Sequence, residues 1–423
     1  MPTPHTGAVI CDALYECLVD WLLERKISTL TLDNCSTNDS LVGLLKDKLD
    51  KNCLMSQGSY LHMRCCAHIL NLIVKDGLDI LEKRIERIRD SVAFWSATPK
   101  RHERFDKMCR LMNVECTRRL SLDCKTRWNS TYIMLSIAIQ YKDVFDRLAL
   151  RETGFTCPET EDWVFAKEVC DRLKMFYDLT ELFSGTRYVT ANLFFPKICG
   201  IRLAIRKWQS SNIQIIEEMS EAMMQKFEKY WNDVHGLMAV ATALDPRYKL
   251  HMLQALFGSL YGVEHAHSEV TKIRKLMYEL LVEYQDAPEG VGTSQVSNSA
   301  AQNQCQDEVF DIFDQYMSSQ PALCTSNVHT ELDLYLDEPP LPRTQELDII
   351  NWWKFGGIKY PTLQKIAHDI LAIPITTVAS ESAFSTSGRI LSPHRSRLAP
   401  KMAEALMCMQ AWSRADMLGN LLL

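Results

Sequence analysis

No stretch of about 18 consecutive apolar residues occurs in the sequence, so no helix is expected to cross a bilayer and no membrane partner is expected. The opening residues, MPTPHTGAVICDAL, have no basic segment ahead of a long apolar one, so no secretory signal is expected. Disulfide patterning is missing too. The 15 cysteines are odd in number and scattered, which reads as reduced thiols in the cytosol or nucleus. There is no CxxC pair and no HxxxH pair. A structural zinc site usually joins two separated ligand clusters, so His62, Cys65, Cys66 and His68 in HMRCCAHILNL are not expected to hold one. Net positive charge is also absent. A formal charge of −6 excludes a uniformly basic nucleic-acid binder but leaves room for a local basic face. No fixed repeat period is visible.

What is present suits a large folded chain. The 423 residues are 47% hydrophobic and 24% charged, enough for two or three domains with buried cores. Residues 6–24 carry Val9, Ile10, Leu14, Cys17, Leu18, Trp21 and Leu22 at the spacing of one helical face. Ile27 to Leu32 reads as a short strand that ends on Asp33, and Thr37 or Asn38 is placed to cap a helix running to about Leu49. A second strand is expected over 60–65, followed by a helix with Ile69, Leu72 and Ile73 on one face. This order predicts a mixed α/β layer over residues 1–77. Residues 78–285 read as almost continuous helix. Breaks are expected at Thr98-Pro99, Leu120 to Arg127, Thr153 to Pro158, Gly185 to Tyr188 and Asp245-Pro246. Residues 286–345 contain DAPEGVGTSQVSNSAAQNQ and read as a flexible linker with one short helix, Glu308 to Met317. A compact block, 346–423, follows, punctuated by Pro361, Pro374, Pro393 and Pro400.

Four constellations carry chemistry, each with a plainer alternative. Asp33 sits where α/β sheets usually place their sites, at the C-terminal end of a strand, but Asp-Asn followed by Ser-Thr-Asn also makes a good Asx turn or cap. Cys65 and His68 read as buried braces of a helix start. In DCKTRWNSTY, Trp128 either plugs a core or stacks on an extruded base while Arg127 meets a phosphate. Glu82 to Arg127 holds thirteen Lys and Arg against seven Asp and Glu, so Arg118, Arg119 and Lys125 join Arg127 and Trp128 as expected DNA contacts. Glu381, among Ala379, Ser380, Ser382 and Ala383, is either a surface or capping residue or a carboxylate open to close approach. Near the C-terminus, Leu398, Met402, Ala405, Leu406, Met409 and Trp412 form an apolar stripe, with Trp352 and Trp353 as further anchors. The stripe either packs on its own core or pairs with a second chain.

Together and in this order, TLDNCSTND, RCCAHILNLIVKDGL, DCKTRWNSTYIML, ATALDPRYKL, WWKFGGIKYPTLQKIAHDILAIP and VASESAFSTSGRIL resemble the blocks of hAT superfamily DNA transposases. The likeness is to the plant group that includes the domesticated DAYSLEEPER and RICESLEEPER proteins. It implies an α/β plus α fold: a ribonuclease H-like core interrupted by a large all-helical insertion and closed by a C-terminal dimerisation block. It also implies chemistry in which two Asp and one Glu hold two divalent metals, Mg²⁺ being suitable. By position Asp33 matches the second Asp, Glu381 the Glu, Cys65 and His68 the CxxH motif, and Trp128 the tryptophan that stabilises a flipped base. The first Asp lies ahead of the HTG block at 5–7, so the expected core is incomplete and no cofactor is expected to bind Asp33 and Glu381 unless the site is completed. The expectation is a nuclear, DNA-binding, homodimerising protein with no small-molecule substrate and without transposition activity. Trp128→Ala is expected to weaken DNA binding with little loss of fold, and Glu381→Gln to change no nuclease activity. The alternatives are an active metal-dependent transposase, if the sequence is part of a longer chain, and an interaction module that does not touch DNA.

Overall fold

A computed structural model describes residues 6–114, 118–124, 127–185, 188–234, 236–286, 330–343, 347–390 and 398–419. Lys125, Pro393 and the expected helix at Glu308 to Met317 lie outside them.

The chain opens with helix α1, Gly7–Asp20, capped by the Thr6 hydroxyl, which accepts from Val9 N at 3.4 Å. Strand β1, Leu30–Leu32, is followed by α2, Ser36–Lys48, and by β2, His62–Arg64. The two strands pair in parallel, with Leu30 opposite His62 and Leu32 opposite Arg64. Both are shorter than the sequence suggests. The α2 cap is Cys35 and not Thr37 or Asn38, because Asn38 turns back onto Asp33 from inside the first turn. Cys11, Leu18, Leu41, Leu45 and Leu61 close a small core under this layer.

Helix α3, Cys66–Ser96, runs unbroken across residue 77. The α/β layer and the helical region therefore share one rigid element, with no hinge at the expected boundary of 77 and 78. The helices that follow are α4 (Pro99–Leu111), α5 (Trp128–Gln140), α6 (Lys142–Ala149), α7 (Thr160–Phe183), α8 (Ala191–Trp208), α9 (Gln214–Val234), α10 (Gly236–Ala243), α11 (Lys249–Tyr261) and α12 (Val263–Asp286). Each expected break falls between helices. Pro99 takes the first turn of α4 behind a Thr98 cap, where its missing N–H costs nothing. Gly77 lets α9 approach α3: a Cβ there would come within 2.6 Å of Met223.

The C-terminal helices are α13 (Glu331–Asp337), α14 (Ile349–Gly356), α15 (Pro361–Leu371), α16 (Val378–Ile390) and α17 (Pro400–Gly419). The first three belong to the main core. Trp353 is fully buried and its Nε1 donates to Leu244 O at 2.9 Å. Tyr335 Oη donates to Ala243 O at 3.0 Å, and Lys249 Nζ donates to the carbonyls of Tyr335 and Glu338. After α15 the chain returns to the first residues: Thr31 Oγ1 donates to Pro374 O and Cys66 N to Ile375 O at 2.9 Å. Among the described residues no helix is long and apolar enough to cross a membrane.

Candidate functional site

That return builds an open cleft of about 810 Å³ at the C-terminal ends of both strands. Asp33 follows β1 directly, and Cys65 N donates to Leu32 O at 2.7 Å to hold the strand end in place. The carboxylate is exposed. Its Oδ1 accepts from Asn38 Nδ2 at 2.6 Å and from Cys35 N at 3.3 Å, so the Asx turn and the exposed position at the strand end occur in one residue. Glu381 lies in the first turn of α16 and lines the same cleft, nearly 350 residues later in the chain. Thr377 Oγ1 donates to Glu381 Oε1 at 2.9 Å. The same threonine lies 3.2 Å (Oγ1) and 3.3 Å (N) from Cys65 Sγ. Cys65 is 1% exposed and thereby joins the end of β2 to the helix that carries Glu381.

His68 also lines the cleft but is only half-buried, so it is not the buried brace expected of it. Burial pushes the thiol of Cys66 well above its ordinary pKa, aided by neighbouring Cys65. A neutral thiol is a poor metal ligand.

Arg127 and Trp128 form another wall. Arg127 is exposed at the cap of α5. Trp128 is 5% exposed and meets Phe176 edge-on at 6.5 Å. It belongs to the main core, so the expectation that its removal spares the fold is corrected: most of the ring is packing.

The loop ahead of it is held by Asp123, whose side chain is fully buried and bonded by Arg89 at 2.8 and 2.9 Å and by Thr131 Oγ1 at 2.7 Å. Burial alone would raise this carboxyl, but the Arg89 guanidinium and the Thr131 hydroxyl hold it below its usual range. Sequence reading missed this bracket. Thr131 stands within the same motif as Asp123, but Arg89, 34 residues away, has no local signal.

Arg118 and Arg119 do not reach the cleft. They line a separate concavity with Arg110 and His102. The tryptophan pair divides likewise. Trp353 is buried within its own chain and is no anchor for a partner, whereas Trp352 is half-buried against Tyr335. On α17, Leu406 is half-buried and Met409 and Trp412 are 60% and 56% exposed, with Phe384 of α16 72% exposed.

Mg²⁺ needs oxygen ligands near octahedral positions. Asp33 and Glu381 are suitable donors. Glu181 also borders the cleft, but no group of three His, Cys, Asp or Glu able to hold a metal occurs among the described residues. The donors present do not fit a two-metal centre.

A short parallel sheet ending in an acid, a late helix bringing a glutamate to it and a long helical insertion between them define a ribonuclease H-like core of the transposase type. Family models agree along the chain: ZBED1 RNase-like domain (1–60), ZBED1 RNase-like helical domain (63–172), hAT-like transposase, RNase-H fold (192–284) and hAT family C-terminal dimerisation region (331–413). The chain belongs to the hAT transposase family. It is 37% identical to "Putative AC transposase" of Zea mays over 98% of its own length and 52% of that protein. It is 34% identical to "Zinc finger BED domain-containing protein RICESLEEPER 2" of Oryza sativa subsp. japonica, over 97% of the chain and 59% of that protein. It is 30% identical to DAYSLEEPER of Arabidopsis thaliana, over 97% and 57%. The chain therefore spans somewhat over half the length of these relatives.

Proposed function

We propose that this chain is a transposase-derived nuclear protein that binds DNA in the Asp33/Glu381 cleft and self-associates through its last two helices, without cleaving the strand. The observation that carries this reading is the cleft itself. One concavity is bordered by three exposed carboxylates, Asp33, Glu181 and Glu381, by exposed Arg127 and by an edge of Trp128. In this reading Arg127 meets a backbone phosphate, and the edge of Trp128 limits how deep a displaced base can enter. Cys65 and Thr377 position Glu381 and touch no ligand. Asp33 and Glu381 would be the ligands of a divalent ion, but they form only part of a complete donor set. The dimerisation region supports self-association. The exposed Phe384, Met402, Met409 and Trp412 give α16 and α17 an apolar surface for a second copy.

The test is duplex binding measured across salt concentrations. Phosphate contacts make log K fall linearly with log salt, by about 0.9 per phosphate neutralised. The expected result is a clear negative slope that Arg127→Ala makes shallower by about 1. A constant that is flat across salt, or a slope unmoved by Arg127→Ala, would defeat the reading. Metal-dependent nicking by the unaltered chain would remove its non-cutting half.

A further inference from the structure

We propose that the basic concavity between α4 and α5 is a second contact for the DNA backbone, beside the carboxylate cleft along α3. The inference rests on the DNA-binding reading above and adds a site to it. The concavity measures about 660 Å³ and is lined by Arg110, Arg118, Arg119 and His102, with Asp106 the one acid among its described lining residues. Arg110, Arg118 and Arg119 are exposed. Its floor is Trp95, Phe105 and Tyr141, which are 1%, 4% and 5% exposed. A floor so deeply packed offers no ring face for a base to stack on. What it presents to a ligand is guanidinium, whose fork of donors matches a phosphate. Tyr141 Oη donates to Arg118 O at 2.8 Å and fixes the segment that carries two of the three arginines.

Placement supplies the second argument. The cleft sits at the start of α3, where Cys65, His68 and Asn71 line it, and the concavity meets α3 at Trp95. Arg127 N donates to Cys124 O at 2.8 Å, and neighbouring Asp123 is gripped by Arg89, which precedes Trp95 on the same helix, so the arginine of the cleft stands near the end of α3 that meets the concavity. Arg119 and Arg127 are eight residues apart in the chain, so their Cα atoms are within about 29 Å of each other and both contacts fall inside one duplex turn of about 34–36 Å. Between the two sites runs a shallow groove. Asn71, Lys75, Leu78, Glu82, Ile85 and Arg89 line it at helical spacing, and it shares Asn71 and Trp128 with the cleft. Its far end is Arg89, which grips Asp123, and the segment leading to Asp123 begins at Arg118. Asp79 and Glu82 border the middle of the groove. They disfavour a phosphate there, so contacts collect beyond the groove.

The experiment uses the full chain and a duplex of about 24 base pairs, roughly two turns. The slope of log K against log salt is compared for the unaltered protein, Arg127→Ala, the triple variant Arg110→Ala/Arg118→Ala/Arg119→Ala, and the same triple changed to Lys. The alanine triple is expected to flatten the slope by up to about 2.7, at about 0.9 per lost contact, and the lysine triple to restore most of it. Its effect should add to that of Arg127→Ala, as expected for independent sites. The three arginines are exposed, so thermal melting should be unchanged. A triple variant with the original slope, alongside an Arg127→Ala that still loses about 1, overturns this site and leaves the cleft reading standing. An unaltered chain with no salt-dependent binding removes both. Pyrophosphate or ATP binding that depends on the arginines, with the DNA slope unmoved, would assign the concavity to free phosphate compounds and overturn the proposal.

Discussion

Trp128 and Asp123 show how one loop can serve packing and the cleft together. Trp128 closes the core against Phe176 and presents an edge to the cleft. Trp128→Ala is expected to destabilise the chain by about 3–5 kcal/mol in chemical denaturation, so any loss of DNA affinity must be compared at matched folded fractions. Asp123 holds the same loop through a buried ion pair, and removing one partner leaves the other charge uncompensated. Asp123→Asn is expected to cost about 3 kcal/mol at neutral pH. Because the folded carboxyl is held below its ordinary 3.8, the folded state favours the ionised form. That stabilisation is full above the unfolded value and fades as pH falls through the folded one. The gap between the unaltered protein and Asp123→Asn in denaturant midpoint should therefore narrow below about pH 4. A gap constant from pH 7 to pH 3 would show that the ion pair is not its source.

At the scale of elements, the C-terminal helices divide by burial. Trp353→Ala is expected to lower stability by about 3–5 kcal/mol. Met409→Glu with Trp412→Glu is expected to shift sedimentation toward the monomer and leave the melting temperature near its starting value. The opposite pattern would reverse the assignment of core and interface. Sequence periodicity alone does not make this division: Trp352 and Trp353 are adjacent, and adjacent helical residues face different ways. Trp353 is singled out by a carbonyl 109 residues upstream, at Leu244. Helix limits were far more legible, since Pro99 and the Asp245-Pro246 pair break helices through local chemistry. The strands were legible in place but not in length, because their length is set by parallel pairing with each other and by no local signal. The placing of Asp33 and Glu381 on one cleft was implied by family resemblance and by no local pattern. Arg118 and Arg119 were grouped with Trp128 by proximity in sequence, whereas the fold carries them to another concavity.

At the scale of the molecule, the main core runs without interruption from α3 into α15. Lys249, buried at 2% exposure, ties α11 to the end of α13, and Leu341 N donates to Pro246 O at 2.9 Å. A protease site inserted between residues 287 and 329 and cut in the folded protein should leave two pieces that co-elute as one particle. Their separation without denaturant would show that the core is not shared. The clasp of Thr31 and Cys66 onto Pro374 and Ile375 also sets an order of events during synthesis. A ribosome adding about 5–20 residues per second needs roughly 17–70 seconds to go from the first acid to the second. For that interval the nascent polypeptide carries β1 and β2 without their closing segment, and a message cut short before codon 374 would release a product that never acquires a cleft. An assembled cleft is thereby confined to chains that have been read almost to the end.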